Sequence, residues 1–283
     1  MKKEAAFQKI VDDKNKIVRC ELCPHYCKIS EGKKGICQGR KNFDGQLYSI
    51  NYGEVTSIGI DPIEKKPLYH FYPGTEILSL GTYGCNFHCD FCQNWQISQE
   101  KPSTKKLKPE EVIEIAQEKE VKSIAYTYSE PMVWYEFVRK TSKLAHEAGL
   151  KNVLVTNAYI NSDPLAQLLP YIDAANVDLK SFNNDFYKNY TGGDLKSVKN
   201  NIKLMADKIH LEITILVIDE LNSDKEELEN LFKWIGDINS SIPLHLSRYF
   251  PAYKMDKAAT NISSMEKAYD KKKKYLNYVY LGN

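Results

Sequence analysis

The sequence has no long apolar run. No stretch approaches the ~20 residues that a membrane-spanning helix needs, so no membrane partner is expected. It also has no surplus of charge: Lys and Arg number 39, Asp and Glu 37, for a formal net charge of +2. The basic footprint of a nucleic-acid binder is therefore missing, and no nucleic-acid partner is expected. Met1-Lys2-Lys3-Glu4 is basic, but no apolar signal core follows it, which makes a cytoplasmic protein the expectation. The run Lys271-Lys272-Lys273-Lys274 reads as the solvated face of a late helix rather than a binding patch.

Cysteine is sparse and odd in number, with seven residues gathered at two places. That suits metal ligation in a reducing compartment better than a disulfide framework. The chain's 283 residues allow one large α/β barrel or two ordinary domains. A hydrophobic fraction of 42% is enough for a sizeable core.

One cysteine group is Cys85-x3-Cys89-x2-Cys92, on a loop after the apolar run Ile77-Leu78-Ser79-Leu80-Gly81. Three thiolates on a four-iron cluster leave one iron without a protein ligand, and an open metal position marks a reactive site. Phe91 would shield the cluster from water. The alternative is a zinc site with His88 as fourth ligand, which is strained because His88 is adjacent to Cys89. The other group is Cys20-x2-Cys23-x3-Cys27-x9-Cys37, a closed set of four. It suits structural zinc, the first expectation, or a second iron–sulfur cluster. Gly32, Gly35 and Gly39 would let the backbone fold tightly there. His25 is the weaker candidate as a ligand.

Asp44-Gly45 signals a hairpin, and a small β-rich unit ending near residue 75 is expected. Beyond it, strands are expected at 77–81, 122–127, 152–156, 174–178, 209–218 and 243–246, with helices between them. Residues 276–281 read as a seventh strand or a packed tail. Pro109 and Pro131 fit helix starts, and Gly149 fits a helix stop. Leu195, Val198, Ile202 and Met205 form one helical face. Ser223-x2-Glu226 reads as a capping box before Leu228, Leu231, Phe232 and Ile235, and a last helix is expected at 264–274. Successive βα units imply parallel strands, as a barrel or a doubly wound sheet.

Polar residues fall at the C-terminal ends of these strands, where such folds build their sites. They are Ser129 and Glu130; Thr156 and Asn157; Asp178 and Lys180; Glu212 and Thr214; and His245, Ser247 and Arg248. Each has a plainer reading. Glu130 could cap a helix, Asn157 could be a turn residue, Asp178 and Lys180 an ion pair, and His245 a satisfied barrel histidine. His70, His146 and His210 receive no assignment.

Gly84-Cys85-Asn86 and Cys92-Gln93-Asn94-Trp95 around the cysteine triplet resemble radical S-adenosylmethionine (SAM) enzymes. They are similar in particular to relatives of the glycyl-radical-enzyme activating enzymes, such as the AmmeMemoRadiSam-system family. Residues 66–74, Cys20-x2-Cys23-Pro24 and Gly32-x2-Gly35-x-Cys37 extend the resemblance. It implies an α/β fold, a partial (β/α)6 TIM-like barrel open at one side, with a small Cys-rich N-terminal extension. The boundary falls between residues 1–75 and 76–283.

The resemblance implies a [4Fe–4S] cluster on Cys85, Cys89 and Cys92, and SAM as co-substrate. SAM would be cleaved reductively to a 5′-deoxyadenosyl radical that takes a hydrogen atom from a protein or peptide. A small molecule, such as an amino-acid or nucleoside derivative, is the alternative substrate, and a metal-binding or redox module the non-enzymatic one. By the same resemblance Glu130 accepts from the SAM amino group, Lys180 meets its carboxylate, Asp178 organises that site, and His245 lies near the ribose. Phe91, Ser129, Asn157 and Arg248 complete the expected cofactor contacts, and a flavodoxin- or ferredoxin-type electron donor is the expected partner. Ala158 departs from the glycine common after Thr-Asn, and Val155 from an aspartate found in some activating enzymes. Relatives often continue past Leu-Gly-Asn into another cysteine pair, so a short member or a trimmed chain is expected from the end at Asn283.

Overall fold

The structure, a computed structural model, describes residues 2–270 and 274–282. The N-terminal region is made of short antiparallel strands. β1 (Lys3–Glu4), β6 (Gln46–Ser49) and β5 (Arg40–Phe43) form one sheet, and β2 (Gln8–Asp12), β3 (Ile17–Cys20) and β4 (Lys28–Ile29) another. The expected hairpin is present: Asp44 and Gly45, both at positive φ, turn β5 into β6. β7 (Glu54–Val55) pairs with β10 (Lys105–Lys106).

The main sheet has the order β16-β15-β14-β13-β12-β11-β9-β8. Its members are β8 (Ser57–Pro62), β9 (Glu76–Gly81), β11 (Ser123–Tyr126), β12 (Lys151–Thr156), β13 (Ala174–Asp178), β14 (His210–Val217), β15 (Leu244–Arg248) and β16 (Val279–Gly282). Among the described residues, β9 and β11 to β16 run parallel, and β8 joins β9 antiparallel. Among the described residues the sheet's edge strands, β8 and β16, are not paired with each other, so the barrel is open. Residues 279–282 therefore form a strand rather than a packed tail. β8 places the start of the sheet before residue 76, and Val18, Leu22 and Ile29 share one apolar core with the barrel's outer face. The expected boundary at 75/76 lies between β8 and β9.

Helices α1 (Trp95–Ser98), α2 (Pro109–Glu118), α3 (Tyr135–Glu147), α4 (Ser162–Leu168), α5 (Asn184–Phe186), α6 (Leu195–Ala206), α7 (Lys225–Asn239) and α8 (Ile262–Asp270) connect the strands. α8 ends before residue 271, and Lys271, Lys272 and Lys273 of the lysine run lie outside the described residues. Leu195, Val198, Ile202 and Met205 on α6, and Leu228, Leu231, Phe232 and Ile235 on α7, are all buried. Each such side chain contributes about 1.5–3 kcal/mol, so a charge at Phe232 would detach α7. The cap of α7 is Asp224, one residue past the expected Ser223; its carboxylate accepts from the Glu226 and Glu227 amides at 2.8 and 3.2 Å. An anion suits a helix N-terminus better than a hydroxyl does.

Side-chain parity sorts each strand into two faces. Leu78, Leu80, Ile124, Tyr126, Leu154, Val177, Ile213 and Leu244 pack outward against the helices. Ile77, Ala125, Val153 and Ala174 point inward, where Ile63 and Leu68 close the barrel's lower end as a separate apolar plug. The segment behind Leu68 is tied down by Glu212, which accepts from the Tyr69 and His70 amides at 3.0 and 2.8 Å.

Candidate active site

Above that plug, at the C-terminal ends of the parallel strands, lies a cavity of about 380 Å³. Cys85, Cys89 and Cys92 all line it, with Phe91 between them. Their loop has little freedom. Gly84 sits at φ +94°, and a Cβ there would stand 2.3 Å from the Cys37 carbonyl oxygen; only glycine fits. Asn86 donates to the Tyr159 carbonyl at 2.5 Å and accepts from Asn157 Nδ2 at 2.9 Å. The Phe87 amide donates to Cys85 Sγ at 3.3 Å, and Ser98 Oγ lies 3.2 Å from Cys92 Sγ. Donors aimed at sulfur favour the thiolate. Burial pushes the Cys85 thiol well up and the Cys89 thiol up to about 12, with Lys180 opposing the latter. A bound cation would offset that cost and favour the Cys85 and Cys89 thiolates.

Glu130 caps a turn and also lines the cavity. Its Oε1 accepts from the Met132 amide at 2.9 Å, capping the 3-10 turn Pro131–Trp134, and from Thr156 Oγ1 at 2.6 Å. Its Oε2 accepts from the Asn157 amide at 2.8 Å. It also faces the cavity. Burial raises its carboxyl to about 7 despite these donors, with the Asp178 charge adding to the rise. Across the cavity Lys180 Nζ reaches Asp178 Oδ2 at 3.0 Å. Burial opposes the Lys180 charge, but Asp178 and the nearby thiols outweigh it and raise the ammonium. Ser129 and Asn157 complete the lining; Ser129 Oγ is held by the Thr82 carbonyl at 2.7 Å. Ala158 adopts φ +55°, the reason a glycine would be at ease there.

Two of the expected contact residues lie off this lining. His245 shares the inward face with Ser247, but it lies one step lower and off the cavity. It donates to Glu212 Oε2 at 2.7 Å in the barrel floor. Arg248 has the opposite parity to Ser247, is absent from the lining, and donates through Nε to the Thr260 carbonyl at 2.7 Å. His88 is exposed and does not line the cavity either, so it is not placed as a fourth ligand. Cys20, Cys23, Cys27 and Cys37 gather around a separate pocket.

Sequence reading missed one group on the cavity wall. Lys66, only 3% exposed, donates to Asp61 Oδ2 at 2.8 Å, and Tyr128 OH donates to the same oxygen at 2.8 Å. Burial works against the Asp61 charge, but these donors hold its carboxyl at about 2. The signal was the Lys65-Lys66-Pro67 segment itself, whose lysines were not read as cavity residues.

The donor set fits a cluster and a zwitterionic ligand. Three thiols stand on one wall, a buried carboxylate and a lysine ammonium on the others, and the space between them holds more than a single ion.

Comparison with known proteins agrees with that fit. The sequence pattern of the Radical SAM superfamily matches residues 79–235, more than half of the chain. The uncharacterized protein MJ0808 of Methanocaldococcus jannaschii is 44% identical over 288 residues, covering 99% of this chain and 85% of that protein. The (2S)-3-sulfopropanediol dehydratase activating enzyme of Klebsiella oxytoca is 31% identical over 107 residues, 38% of this chain and 34% of that enzyme. Among solved structures, Streptococcus suis SuiB bound to its precursor peptide SuiA superposes with a TM-score of 0.58 at 17% identity, covering 78% of this chain and 51% of that one. At that identity the likeness concerns the fold alone.

Proposed function

The chain belongs to the radical SAM superfamily, and from that premise we propose that it abstracts a hydrogen atom from a protein or peptide substrate, as an activating enzyme does. Membership brings a [4Fe–4S] cluster and SAM as the working groups, which together supply the one-electron cleavage of SAM and the hydrogen-abstracting power. In this reading Cys85, Cys89 and Cys92 ligate the cluster. Glu130 receives the SAM ammonium, and Lys180, oriented by Asp178, receives its carboxylate. Phe91 and the apolar rim exclude water, while Ser129 and Asn157 hold the walls in place. A flavodoxin- or ferredoxin-type protein delivers the electron.

The observation that carries the reading is the convergence of the three thiols, Glu130 and the Asp178–Lys180 pair on one cavity. The choice of a protein substrate is supported by similarity to an enzyme named as the activator of a dehydratase. The unpaired edge strands leave the barrel open at the side, which gives a chain segment room to enter. The test is anaerobic, reduced enzyme incubated with deuterium-labelled candidate proteins. Deuterium in 5′-deoxyadenosine supports the reading. Label arriving only from a free metabolite overturns the protein substrate, and release of S-adenosylhomocysteine overturns hydrogen abstraction.

A further inference from the structure

Cys20, Cys23, Cys27 and Cys37 line one pocket with Ile29, Ile36, Met132 and Val133 for walls. A zinc ion needs all of its sulfur ligands at ~2.3 Å from one point. Among the described residues, no three Cys, His, Asp or Glu side chains converge tightly enough to hold one ion. The same is true of Cys85, Cys89 and Cys92, the residues read as ligands of the SAM-cleaving cluster.

A second observation comes from Arg40. It is 1% exposed and lines the pocket. Its Nη1 and Nη2 donate to the Ala6 carbonyl and Glu136 Oε1 at 3.1 and 2.6 Å, but its Nε has no partner. An orphaned buried donor costs about 1–3 kcal/mol, and the sulfur of a cluster or its thiolates would satisfy it. The guanidinium also offsets the negative charge that four thiolates bring.

We propose that these four cysteines hold a second [4Fe–4S] cluster, fully ligated by protein and in electronic contact with the first. With every iron ligated, this centre has no open position for SAM and serves only to carry an electron. One electron would pass to it from a ferredoxin- or flavodoxin-type donor and on to the barrel cluster, with no bond made or broken. The two sites share a wall. The Cys37 carbonyl packs on Gly84, the neighbour of Cys85. Asn86 lines the N-terminal pocket and accepts from His25 Nε2 on its carbonyl at 2.7 Å. Its side-chain Oδ1 lies 3.9 Å from Cys85 Sγ. The inference does not depend on which substrate the barrel takes.

The test is metal content and electron paramagnetic resonance of anaerobically reconstituted protein. Wild type should hold about eight irons and no zinc, since each cluster has four. The Cys85→Ala/Cys89→Ala/Cys92→Ala variant should keep half of that iron and give the signal of one reduced cluster. The Cys20→Ala/Cys37→Ala variant should lose the other half. Reduced wild type should show spin–spin broadening that vanishes in both variants. One zinc and about four irons per wild-type chain would overturn the cluster, and that measurement stands even where a variant fails to fold. A wild-type spectrum equal to the sum of the two variants' spectra would overturn the contact.

Discussion

Thr156 donates its hydroxyl to Glu130 at 2.6 Å, joining the end of β12 to the loop that follows its neighbour β11. With the Met132 and Asn157 amides, it fixes the carboxylate without stabilising it enough to offset burial, so the group titrates near 7. A ligand ammonium needs the ionised form. SAM affinity should therefore rise about tenfold between pH 6 and pH 8 from this group alone. Glu130→Gln should weaken SAM binding and remove that component of the pH dependence. Calorimetric titration of the anaerobic protein across this range checks it, and an unchanged slope in the variant would count against the role.

The barrel floor has the opposite electrostatics. Burial opposes the charge on Glu212, but His210, His245 and the Tyr69 and His70 amides outweigh it and hold the carboxyl at about 2. A depressed carboxylate stabilises the fold fully above its ordinary value and loses that contribution as pH falls through the folded one. The window here is pH 4.5 to 2. Glu212→Gln leaves buried donors facing an amide, and should cost about 3 kcal/mol at neutral pH. Denaturant unfolding at pH 7 and below pH 3 should show that gap closing in acid. A constant gap would reject the account.

Much of this architecture is legible in the sequence, for identifiable reasons. β11 to β15 are short apolar runs spaced by helical patterns, so their existence depends on local composition. The cysteine triplet carries its chemistry in its spacing. What stays hidden is set by nonlocal geometry. Parity tells that His245 faces inward but not how high it sits in the barrel, so its pairing with Glu212 rather than the cavity was not visible. Arg248 differs from Ser247 by a single step of parity, which turns it to the Thr260 carbonyl. Asp61 lies on β8, whose antiparallel pairing with β9 brings it to Tyr128 across 67 residues of chain. No local pattern encodes that meeting.

His88 stands between Phe87 and Cys89 but is exposed, with its amide bound to the Thr191 carbonyl at 2.9 Å. His88→Ala should retain wild-type iron content and SAM cleavage. A zinc site completed by this imidazole would instead lose its metal. Elemental analysis beside a turnover assay decides between them, and loss of both metal and turnover would restore the zinc reading.

Gly84 is where the two cysteine regions touch. A methyl there meets the Cys37 carbonyl at 2.3 Å, and that atom is backbone, which cannot rotate away as a side chain would. The residue's φ of +94° adds strain for any L side chain. Gly84→Ala should therefore destabilise by about 3 kcal/mol or more, combining overpacking with the backbone cost. The displacement has two directions open to it. Moving the 84–92 loop pulls Cys85 from the cavity, and moving residues 37–39 pulls Cys37 and Arg40 from their pocket. Either way the variant should melt lower and bind less metal than wild type under identical reconstitution. Full metal loading with an unchanged melting temperature would mean that the wall between the sites yields, and that their contact is not a fixed element of the fold.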